Sequence, residues 1–75
     1  MTHAERVIAA HFKKMPTPAL RVSVNRAIAL RDYPGAAQEA VDAVKATRPD
    51  MTIEKAKAAA ATIIALGKAE LARRI

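Results

Sequence analysis

The segment TIEKAKAAAATIIALGKAELARRI, residues 52–75, decides how this chain is read. Ten consecutive uncharged residues run from Ala58 to Gly67, with no proline and a single hydroxyl on Thr62. Thr52 stands where a helix N-cap is wanted, Glu54 suits the positive end of the helix dipole, and Arg73 and Arg74 suit the negative end. The pattern predicts a helix of about 23 residues, about 35 Å long. At about 100° per residue, Ile53, Ala56, Ala60, Ile63, Ile64, Gly67, Leu71 and Ile75 fall on one stripe, the expected core seam. The small residues on it, Ala56, Ala60 and Gly67, allow a second helix to approach closely.

The opposite side of this helix is unusual. It carries Glu54, Ala58, Thr62, Ala65, Ala69 and Ala72, with Leu66 to one side, where an exposed helix normally carries Lys, Glu or Gln throughout. A helix apolar on every side is normally covered on every side. Short companion helices can cover one face of such a rod but not both. Self-association through Ala58, Thr62, Ala65, Leu66 and Ala69 is therefore expected, as a two-fold homodimer.

Upstream of this segment the chain divides at its prolines into three shorter helices. Thr2 and Glu5 form a capping-box pair ahead of Ala4, Ile8, His11/Phe12 and Met15 at helical spacing, and Pro16 stops that helix near Lys14. Thr17-Pro18 reads as a capping hydroxyl followed by proline at the first helical position. Leu20, Val24, Ala27/Ile28 and Arg31 form the inward stripe of this second helix, which the cluster Asp32-Tyr33-Pro34-Gly35 ends. A third helix places Ala37, Ala40, Val41 and Val44 on one face and Gln38, Glu39, Asp42 and Lys45 on the other. The expected architecture is all-α, a single domain over 1–75 with helices at about 3–14, 18–32, 35–47 and 52–74. Short connections predict that successive helices pack antiparallel.

Composition bounds the function. The chain has 75 residues and no cysteine, so no disulfide or thiolate metal site can reinforce a thin core of Ile, Val, Leu, Met and Ala. Phe12 and Tyr33 are the only aromatics. A start at Met1, with Glu5 and Arg6 interrupting the N-terminus before any apolar run, reads as a complete small reading frame without a signal peptide, in a reducing cytoplasm. The uncharged run is too short to span a bilayer, which takes about 20 residues. Net charge is +6, concentrated in residues 1–33 and 52–75. That balance suits an acidic protein face or nucleic acid.

Chemistry-bearing residues are sparse. His3 and His11 are eight apart, not three or four, so they do not pair as metal ligands, and His11 beside Phe12 reads as a half-buried packing residue. Ser23, the only serine, has no nearby His or Asp to activate it. Glu39 and Asp42 share a helical face but read as solvated charges, and Pro34-Gly35 is a turn, not a phosphate loop. So thin a core leaves little room for a ligand cavity of about 300 Å3 or more. No enzyme activity and no cofactor are expected.

The expectation is a small helical regulator that binds another protein with an acidic face, in the style of adaptors, anti-activators and inhibitors carried by phages and other mobile elements. Candidate contacts are Lys45, Arg48, Lys55 and Lys57 around the turn between the third and fourth helices, with Arg21, Arg26, Tyr33, Arg73 and Arg74 behind them. The alternative is a dimeric helix-turn-helix-like DNA-binding protein. Its difficulty is that the third helix would present two carboxylates to phosphates, and that the cations of the second helix spread around its cylinder.

Overall fold

The computed structural model describes residues 1–75 and is all-helical. Its helices are α1 (His3–Lys14), α2 (Thr17–Asp32), α3 (Ala36–Val44) and α4 (Ile53–Arg73). The α1 capping box forms as expected: the Glu5 N–H donates to Thr2 Oγ1 at 3.2 Å, and Thr2 N–H donates to the Glu5 carboxylate at 3.4 Å. Thr52 caps α4 in the same way, accepting from the Lys55 N–H at 3.1 Å. Gly35 precedes α3 at φ 81°, a left-handed conformation that glycine adopts without steric cost.

Several boundaries differ from expectation. Residue 16, not Thr17, is the N-cap of α2, and no side chain caps that helix. The Thr17 hydroxyl is engaged elsewhere, as described below. α3 stops at Val44, three residues short, because Lys45–Thr47 tighten into turns. The Thr47 hydroxyl donates to the Val44 carbonyl at 3.2 Å, a local bond that competes with helix continuation. α4 has 21 residues, with Arg74 as its C-cap.

Packing centres on α4, which touches the other three helices and packs most extensively against α2. The expected antiparallel succession fails at its first step. α1 and α2 diverge from the Met15-Pro16 corner, and each packs on α4 more than on the other. Two clusters form the core. In one, Phe12, Leu20 and Val24 pack with half-buried Ile8, Met15, Ile63, Leu66 and Leu71. In the other, Ala27, Ala60 and Ile64 pack with Ile28, Leu30 and Ile63.

At Gly67 α2 and α4 approach closely: a Cβ there would overlap Val24 Cγ2 and touch Phe12 and Leu20. The seam of α4 is thus used at Ala56, Ala60, Ile64 and Gly67. It fails at its ends: Ile53, the first residue of α4, is 41% exposed, and Ile75, beyond the end of the helix, is fully exposed. Ala4 likewise faces solvent, being in the first turn of α1.

The far end of the chain returns to the first corner. Arg74 donates to Phe12 O at 2.8 Å, Lys13 O at 3.4 Å and Thr17 Oγ1 at 3.0 Å, while Glu70 holds its Nε at 3.1 Å. The last carbonyls of α1 carry the negative end of its dipole, and Phe12 O, which also accepts from the Met15 N–H at 3.2 Å, has a second lone pair free, so a guanidinium suits them well. This one side chain ties together α1, α2 and α4.

Candidate functional site

The divergence of α1 from α2 opens a cleft of about 720 Å3 between all four helices. Val7, Ile8 and Phe12 of α1 and Ala27 and Leu30 of α2 contribute to its lining. Ala40 and Val44 of α3, Ala56, Ala60 and Ile63 of α4, and Met51 complete it. The expectation that so small a core leaves little room for a ligand cavity is therefore not met. The reason lies in side-chain size. Ala27, Ala40, Ala56, Ala59 and Ala60 bring three helices to the same space with almost no volume to fill it, and interiors otherwise pack as densely as organic crystals.

Only three polar residues line the cleft: His11, Ser23 and Arg26. The Ser23 hydroxyl is turned toward Met15 Sδ at 3.7 Å. His11 is exposed at the rim, not half-buried as expected, with its ring centroid 6.3 Å from that of Phe12 and tilted by 45°. Arg26 is exposed and forms no ion pair or side-chain hydrogen bond. No Asp or Glu lines the cleft.

The other sequence candidates occupy several separate places. Lys45 and Arg48 lie in the turns after α3, and Lys55 and Lys57 in the opening of α4, all exposed. Lys55 Nζ is held by the Asp50 carbonyl at 3.2 Å and its carboxylate at 3.6 Å. Arg21 and the largely exposed Tyr33 stand on α2 and its C-cap. Arg73 pairs with Glu70 at 3.2 Å, about 27 Å along α4 from Lys55. Arg74 is occupied by the contacts at the α1–α2 corner, so the fold already uses its charge. The cations do not converge on one footprint.

On α4, Ala58, Ala65 and Ala69 are exposed in the single chain and Thr62 is half-buried, its hydroxyl donating to the Ala58 carbonyl at 3.2 Å. Leu66 turns inward onto the Phe12–Leu20–Val24 cluster. On α3, the Gln38 amide donates to Asp42 at 2.9 Å, so the one residue there suited to reading a base is engaged with its own helix. No helix is long and apolar enough to cross a membrane.

Sequence reasoning missed the cleft residues Val7, Ala40, Val44, Met51 and Ala59. One signal was legible: Val7 is a bulky apolar residue outside the inward stripe of α1. Compared with known proteins, the chain matches no family model, no curated protein and no solved structure.

Proposed function

We propose that this chain is a small non-enzymatic regulator of the adaptor, anti-activator or inhibitor type that works by binding another protein. The observation that carries the reading is the open apolar cleft in a fold with only ten buried residues. Its accessible surface is 5428 Å2. A compact monomer of 8.0 kDa exposes about 4,450 Å2, so this chain shows about 1,000 Å2 in excess. Its radius of gyration, 12.8 Å, likewise exceeds the roughly 11.4 Å of a compact domain of its length. A standard protein interface covers about 800 Å2 on each partner, comparable with that excess.

The same reading includes a homodimer joined along the outer strip of α4. Ala58, Ala65 and Ala69 offer a face low enough for two such helices to meet closely. Ala65→Glu then leaves the helix content unchanged and halves the mass measured by light scattering at micromolar concentration. A wild-type chain already monomeric there removes the dimer from the proposal.

Affinity capture on the immobilised chain, with mass spectrometry of what a lysate of the source organism leaves behind, tests the main reading alongside an anisotropy titration against duplex DNA at two salt concentrations. A stoichiometric protein partner and no DNA binding at about 50 mM salt is the expected result. Salt-dependent sub-micromolar binding to DNA overturns it in favour of a DNA-binding regulator.

A further inference from the structure

The chemistry of the cleft narrows what it can receive. Its walls are helices whose backbone N–H and C=O groups are already paired internally, and there is no strand edge to extend. An extended peptide laid there would bury its own backbone groups without partners, which is costly. A helix brings its backbone already satisfied and offers only side chains, the mode in which apolar anchors at i, i+3, i+4 and i+7 enter a groove. A small apolar ligand fits less well, because such ligands are normally enclosed and oriented by a few placed polar groups. Here the rim is open, with Val7 54% exposed and Ala59 exposed, and Ser23 is turned to Met15.

Charge sets the second requirement. Arg26 is unpaired at the edge of an apolar surface that contains no acidic group, in a chain of net charge +6. A second copy does not meet that requirement. The cleft lining contains no Asp or Glu, so two clefts paired about a two-fold axis would offer neither Arg26 a carboxylate. The one helix with acidic and no basic side chains, α3, already buries its apolar residues Ala37 and Val41.

We propose that the cleft receives the apolar face of an acidic amphipathic helix of another protein, with Arg26 pairing a carboxylate on its flank. This rests on the protein-binding reading and specifies its partner. Met15 and Met51 in the lining supply adaptable contacts to differently shaped apolar side chains.

The test uses the full chain and two fluorescein-labelled designed helical peptides of about 16 residues, long enough to repeat the four anchor positions. Both carry Leu at the anchors; one has Glu and the other Lys at the intervening positions. The Glu peptide is expected to bind with a micromolar Kd and the Lys peptide about tenfold more weakly. Arg26→Glu should reverse that order, and Ala59→Trp, at an exposed rim position, should abolish binding of both. Circular dichroism of each variant should show unchanged helix content.

Equal binding of the two peptides, unaffected by Arg26→Glu, overturns the proposal. So does no binding of either peptide, and so does saturable binding of dodecanoate that the Glu peptide fails to displace, which assigns the cleft to a small apolar ligand. A captured partner protein that still binds both variants overturns the cleft assignment while leaving the protein-binding reading intact. Loss of both peptide and partner binding, with duplex DNA bound, removes the two together.

Discussion

Two regions along α4 pack by opposite rules. Around Gly67 the missing side chain is answered by Val24, Phe12 and Leu20, and the junction is closed. Around Ala56 and Ala60 the helices are packed on one side by Ile63, Ile64 and Leu30, but toward Ala27 and Ala40 only small residues line the space, and it stands open as the cleft. Both stretches look alike in sequence, as small residues on one helical stripe. The difference teaches that a small residue closes an interface only when a large one stands opposite; otherwise it leaves space for something else.

The closed region should break first. Leu20 is completely buried at its centre, and Leu20→Ala should cost about 3 kcal/mol, most of the stability of a domain this small. A urea titration measures it directly. Arg74→Ala comes next. It removes the donors to Phe12 O, Lys13 O and Thr17 Oγ1 and leaves Glu70 unpaired on that side, at about 2 kcal/mol in the same titration.

A matched pair of insertions sharpens the contrast. Gly67→Ala should destabilise by about 1 kcal/mol net, since overpacking against the stiff side chain of Val24 outweighs the gain in helix propensity. Ala40→Leu, adding far more volume on the cleft wall, should stay within about 0.5 kcal/mol of wild type. If Ala40→Leu proves the costlier of the two, the open region is better packed than its geometry says.

The smallest effect lies outside both regions. Arg31 holds Asp32 through bonds of 2.7 and 3.0 Å, and this hydrogen bonding keeps the Asp32 carboxyl below its ordinary value of 3.8. Because the folded carboxyl is the stronger acid, its contribution is present above that ordinary value and disappears as the pH falls further. The pair lies at the surface and is screened by salt. Asp32→Asn should therefore flatten the acid limb of the melting-temperature profile only slightly, and high salt should erase the difference.

Much of the helical framework was legible in the chain. The Thr2–Glu5 box, the Thr52 cap and the break at Asp32–Gly35 are local signals whose partners lie within a few residues, so reading them requires no tertiary information. The expected close approach at Gly67 also held. What failed was long-range: the role of Arg74, the turn of Leu66 toward the core, the exposure of Ile53 and Ile75, and the cleft. Thr17 shows the contrast within one residue. As a hydroxyl before a proline it reads as a cap, yet its oxygen accepts from a side chain 57 positions away.

By itself the sequence determined the helices, the caps of α1 and α4, the middle of the α4 seam and the sparse, scattered chemistry, because hydrogen bonds within a turn and apolar spacing along one helix are properties of neighbouring residues. Only the tertiary structure decided that α1 and α2 diverge, that Arg74 closes their corner, and that alanines from three helices converge on one open apolar space. Which small residue meets a large one is set by where distant helices cross, and no stretch of sequence carries that information alone.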